Sequence, residues 1–218
     1  MQVSRSFQAL VVVVLGIAVA LLLVPIQQYS FDELTGGKLP YAPDSWYDAY
    51  VGVHDRLGEP LGLSPYYFWG HFAFLMYVAG FVGARALPRG QARLARLGRG
   101  LLVVALAVGL VGDLLAYWGG TDQSDFTMVS SIGFGLMEIP ALLLTVVGMV
   151  VYGLGLLRER GVRCWPGWVL VAGGALALPG TFVITYVPHG VLVTILGGIG
   201  LALLASLRSE EPAEPVAQ

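Results

Sequence analysis

Residues Ala9 to Ile26 run for eighteen positions without a charged side chain. A stretch of that length and composition crosses a hydrocarbon core of about 30 Å as a helix of about 20 residues. Five further runs of similar make-up follow. Spans are therefore predicted at 7–27, 66–87, 99–118, 129–157, 166–186 and 190–207. Composition agrees, because only 12% of the 218 residues are charged and the mean hydropathy is +0.76. Soluble domains carry roughly twice that share of charge, about 25%. The sequence thus predicts an all-α, polytopic membrane helix bundle over residues 1–208, with six transmembrane helices. The first run is longer than the apolar part of a secretory leader and predicts an uncleaved anchor.

Arginine and lysine set the expected threading. With the N-terminus inside, ten of the twelve basic residues fall on the inner face, and only Lys38 and Arg56 fall outside. The positive-inside bias therefore predicts an N-in/C-in, multi-pass protein of the plasma (inner) membrane. Eleven arginines against one lysine, with abundant Gly, Ala and Val, suit a GC-rich bacterial genome. The basic residues need only anionic headgroups as partners, so the lipid bilayer is expected and nucleic acid is not. Other membrane subunits or a second copy of the chain are further candidate partners. Cys164 is the lone cysteine, so no disulfide can form within the chain.

Punctuation marks several boundaries. Ser64 and Pro65 read as the N-cap and first residue of the second span. The outer loop 28–65 is long for a plain connection. Within it, residues 45–57 read as a short amphipathic helix, with Ser45 and Asp48 as a capping box and Trp46, Tyr50, Val53 and Leu57 on one face. Residues 209–218 are acidic and proline-containing, which predicts a disordered cytoplasmic tail.

The costly residues lie inside the spans. Asp113 and Glu138 are the acids there, and insertion scales charge each about 3 kcal/mol at a helix centre. Such a group is protonated, paired or hydrated, and by default marks a functional site. On the fourth span Ser131, Gly135, Glu138, Ala141, Thr145, Gly148 and Tyr152 recur at helical spacing. Small residues of this kind line faces that pack against other helices, which turns Glu138 inward. Pro140, two residues on, predicts a kink beside it. His71, Tyr117 and Tyr186 fall at comparable depth and complete the candidate ligand or proton site, whereas His54 and His189 read as solvent-facing.

Known chemistries find little purchase. The chain has no H-E-x-x-H, no G-x-S-x-G and no Walker loop. A haem held by His71 and His189 is conceivable, but three histidines are few for a bundle cytochrome. Neither a metal nor a cofactor is expected. The sequence by itself fits a scaffold or accessory subunit of a membrane complex. It also fits a small transporter, channel or sensor with an outer-half proton, cation or ligand site at Glu138 and Asp113. A third fit is a membrane enzyme acting on a lipid or isoprenoid by carboxyl acid–base chemistry.

Overall fold

A computed structural model describes residues 5–30, 42–119, 127–184 and 189–210. Among them every regular element is helical. Helix α1 covers Arg5–Ser30 and α2 covers Asp44–Leu57; a single 3₁₀ turn at Glu59–Leu61 leads into α3, Pro65–Gly70. Next come α4, Phe74–Ala86; α5, Arg93–Trp118; and the short α6, Met128–Ser131. A π-helical segment, Ile132–Glu138, joins α6 to α7, Ile139–Arg160. Helices α8, Trp165–Ile184, and α9, His189–Glu210, complete the described chain.

Five of the described helical stretches are long and apolar enough to cross a membrane: Arg5–Ile26, Pro65–Ala86, Arg93–Trp118, Met128–Arg160 and His189–Leu207. The remaining predicted span, 166–186, corresponds to α8, whose apolar part over the described side chains is the shorter Trp165–Pro179. Val14, Leu15, Val104, Val147 and Leu201 face outward, so the exterior as well as the core is apolar. That is the surface hydrocarbon accepts and water does not.

The long helices close into a ring. Helix α1 packs on α4, α4 on α5, α5 on α7, α7 on α8, α8 on α9, and α9 returns to α1. Helix α9 also reaches α4 and α7 and has the largest buried share of the five spans. Small residues allow the closest approaches. A Cβ on Gly98 of α5 would lie 2.2 Å from the backbone nitrogen of Tyr152 on α7.

Ser64 caps α3 as expected, its side chain accepting from the Tyr67 amide, with Pro65 opening the helix. The second span is nevertheless broken between α3 and α4. There the hydrogen bonds tighten to three-residue steps, from Phe72 to Trp69, Ala73 to Gly70, and Met76 to Ala73. At the arginine-bearing end, the Glu159 carboxylate accepts from the amides of Gln91 (2.8 Å) and Ala92 (3.0 Å) at the start of α5. The Tyr152 hydroxyl donates to the Pro88 carbonyl at 2.6 Å, tying the same connection to α7.

Helix α2 departs from its expected form. It starts at Asp44 after Pro43 and has no side-chain cap, so the Ser45–Asp48 box does not form. Its inward face is Tyr47, Tyr50 and His54, while Val53 and Leu57 are exposed. Tyr47 packs with Val24 and Ile26 of α1, and Tyr50 meets the Trp69 ring edge-on at 4.7 Å. Val193 of α9 joins this cluster, and α2 otherwise packs on the 3₁₀ turn and α3. His54 is accordingly buried and not solvent-facing: its Nε2 lies 2.8 Å from the Leu63 carbonyl and its ring abuts Phe68. The predicted tail divides, since α9 continues through Glu210 and residues 211–218 lie outside the described residues.

Candidate functional site

Two glycines build the site before any polar group enters it. A Cβ on Gly112 of α5 would sit 2.7 Å from the backbone nitrogen of Glu138 and 2.9 Å from the Gly133 carbonyl oxygen. One on Gly133 would sit 2.6 Å from the Gly112 carbonyl oxygen and from the Ala116 nitrogen. Bare backbones thus touch where α5 meets the π segment, and Asp113 and Glu138 flank that contact.

The local winding explains the inward turn of Glu138. Pro140 has no N–H, and its ring collides with the carbonyl one α-turn back. The chain opens into wider turns just before it, with the Ile139 amide donating to Phe134, five residues earlier. This alters the predicted stripe. Glu138, Ala141, Thr145, Gly148 and Tyr152 are buried, but Ser131 and Gly135 are exposed. Ser130 and Gly133 take the inner positions. A five-residue step from Gly133 to Glu138 fits a π turn, and an α-helical period carried through this segment misplaces both residues.

Asp113 and Glu138 are completely buried, and a third ionisable group, His189, is buried with them. His189 Nε2 lies 3.2 Å from Asp113 Oδ1 and 3.3 Å from Glu138 Oε1. One ring nitrogen therefore addresses two carboxyl groups. The Tyr77 hydroxyl of α4, also fully buried, donates to Glu138 Oε1 at 2.9 Å. Gly109 makes room for the Tyr77 ring, since a Cβ there would come within 2.5 Å of it. The donors come from α4, α5, the π segment and α9, so four separated stretches of chain converge on one point.

The other predicted site residues fall out differently. Tyr117 is buried, with its ring centre 5.8 Å from that of His189 and its hydroxyl 3.1 Å from that of Tyr66; it forms a wall of the site. His71 does not join. It sits at the break between α3 and α4, half-buried, with Nδ1 on the Tyr67 carbonyl and its ring against Trp118. A haem shared by His71 and His189 does not fit, because the two rings serve different partners. Tyr186 lies outside the described residues.

His189 is the main correction to the sequence reading. A histidine at the first turn of a helix, after a proline, reads as exposed. It is enclosed because α9 runs through the packed centre, where Asp113, Glu138 and the Tyr117 ring surround it. Tyr77 was likewise absent from the expected set, having the look of any core aromatic in an apolar run. The usable signal for both was depth, since each falls at the level of the two acids.

The accounting of polar atoms is uneven. Three buried side-chain polar atoms have no hydrogen-bond partner among the described residues, and two are Asp113 Oδ2 and Glu138 Oε2. Buried polar atoms are satisfied in the great majority of cases, so two orphaned oxygens in one cluster mark an incomplete site. Asp113, Glu138 and His189 each offer a donor atom, and these lie within 4.8 Å of one another. No protein-family model, curated protein or solved structure matches this chain.

Proposed function

We propose that the chain is a six-pass, N-in/C-in protein of the plasma (inner) membrane whose Asp113–Glu138–His189 cluster binds a cation, as in a small transporter or sensor. The observation carrying this reading is a pair of fully buried carboxyl groups that share one imidazole nitrogen through Oδ1 and Oε1, while their second oxygens, Oδ2 and Oε2, have no partner among the described residues. A cluster that only locked helices together would satisfy its own atoms, since each orphan costs about 1–3 kcal/mol.

Charge counting names the occupant. Two carboxylates with a neutral imidazole carry −2, which apolar surroundings do not tolerate uncompensated. Two protons, or one divalent cation, restore neutrality. The spacing suits both occupants. A first-row metal ion about 2.0–2.2 Å from each ligand sets tetrahedral neighbours about 3.3–3.6 Å apart. The nitrogen–oxygen separations of 3.2 and 3.3 Å lie close to that value. A mixed nitrogen and oxygen set favours zinc, manganese or iron over calcium or magnesium. Tyr77 would then orient the Glu138 carboxylate from behind, as hydrogen bonds to metal ligands do.

Six crossings agree with the closed ring and with α8 lying between α7 and α9. The arginine bias supports the inward placement of both termini. The test is equilibrium dialysis of the purified protein against Zn²⁺ and Mn²⁺, with pH recorded. One ion per chain with proton release is expected, falling by roughly 100-fold in Glu138→Gln, Asp113→Asn and His189→Gln. Wild-type protein that takes up neither ion, and whose carboxyl infrared bands do not respond to pH, would return the cluster to a purely structural role in a scaffold or accessory subunit.

A further inference from the structure

The opposite end of the molecule holds a second concavity. Between α1, α4 and α5 lies a cavity of about 860 Å³ whose mouth carries Arg5, Arg85, Arg89 and Arg99. On each of the three helices the lining changes character over one turn. Arg5 is followed by Ala9, Arg85 is preceded by Phe81, and Arg99 is followed by Val103, always four residues deeper into the span. The cavity is therefore cationic at the rim and apolar below, the polarity sequence of a phospholipid.

The positive charge has no counter-ion among the described residues. No acidic residue lines the cavity, and none of the four arginines makes an ion pair among the described residues. Glu159, the acid beside this connection, is occupied by the amides of Gln91 and Ala92. Two of the guanidiniums are held in place. Arg99 donates from Nε to the Leu87 carbonyl and from Nη2 to that of Arg85, and Arg85 lies over the Phe81 ring, 5.7 Å from its centre. Guanidinium forks match phosphate oxygens in geometry, and an immobilised fork loses little freedom when it binds one. A positive-inside bias accounts for arginines on one side of the membrane, but not for four around one apolar-walled cavity.

We propose that this cavity binds one anionic phospholipid, its phosphate among the four guanidiniums and an acyl chain along Phe81 and Val103. The proposal is independent of the buried cluster, since 14 residues of α5 separate Arg99 from Asp113, about 21 Å of helix.

Native mass spectrometry of the detergent-purified protein, offered equal amounts of phosphatidylglycerol and phosphatidylcholine, tests it. One phosphatidylglycerol per chain is expected, retained roughly tenfold better than phosphatidylcholine. Arg85→Gln with Arg89→Gln abolishes that preference, whereas Arg93→Gln with Arg96→Gln removes equal charge outside the cavity and preserves it. Should the first pair fail to fold, Arg89→Gln alone carries the test, because Arg89 lies in the connection between α4 and α5. Equal loss in both pairs, or equal retention of the two lipids, overturns the proposal. Displacement of the lipid by excess inorganic phosphate overturns it in favour of a soluble anion.

Discussion

At the scale of single residues, the cluster is a problem in sharing. One imidazole nitrogen stands between two acids, and Tyr77 adds a donor to only one of them. Removing the hydroxyl by Tyr77→Phe forfeits a buried hydrogen bond to a carboxyl group, worth about 1.5–3 kcal/mol where the acceptor is charged. A lower thermal midpoint in detergent is the expected reading, with cation binding weakened but present. His189→Leu is harsher, since it leaves two acids facing each other in an apolar setting; removing one partner of a buried pair costs about 3–5 kcal/mol. Ligands must shed protons to hold a metal, so zinc affinity should rise as pH is raised from about 5 to about 8. A flat profile over that range in a protein that does bind zinc would place the ion elsewhere.

The acids themselves were legible, because a carboxyl group in an apolar run has no bland explanation and its flanking small residues gave its direction. His189 and Tyr77 were not. A histidine at a helix mouth is wet or dry according to what surrounds it, and the surroundings here are Asp113, Glu138 and Tyr117, more than 50 residues earlier in the chain. His71 misled for the converse reason: its depth was right, but the break after Gly70 gives it a backbone partner of its own.

At the scale of elements, the contact between α5 and the π segment decides whether the cluster forms. Gly133→Ala would drive a methyl group into the backbone of α5, which cannot yield as a side chain does. A penalty of about 1–3 kcal/mol is expected for such overpacking, together with loss of cation binding. Gly135→Ala is the matched control, because nothing lies within 4 Å of the added carbon. Thermal unfolding and dialysis on the two variants separate a register-specific contact from general sensitivity of the segment. The same pair explains a limit of sequence periodicity. An α-helical count carried back from Glu138 selects Gly135, and only the π turns shift the inner position to Gly133. Pro140 announced a distortion at this point but not its kind.

At the scale of the whole molecule, the apolar runs made an all-helical fold with helices long and apolar enough to cross a membrane legible in the sequence, and the ring order of the helices followed only from the structure. Sequential neighbours mostly pack together, but closure depends on α9 meeting α1, α4 and α7, contacts that no local pattern encodes. The threading can be tested without functional knowledge. In a Cys164→Ser background, Asp48→Cys on the exposed face of α2 should react with an impermeant maleimide in intact cells, and Gln91→Cys should react only after lysis. The reverse pattern would invert the molecule and put the arginine cavity on the outer surface.

Because His189 opens α9, the imidazole is synthesised after both carboxylic acids, which lie 76 and 51 residues earlier in the chain. During synthesis Asp113 and Glu138 wait without it, and a chain that stops short of residue 189 never acquires it. Such truncated products should be short-lived in pulse-chase experiments, and replacing both acids with Asn and Gln should lengthen their survival.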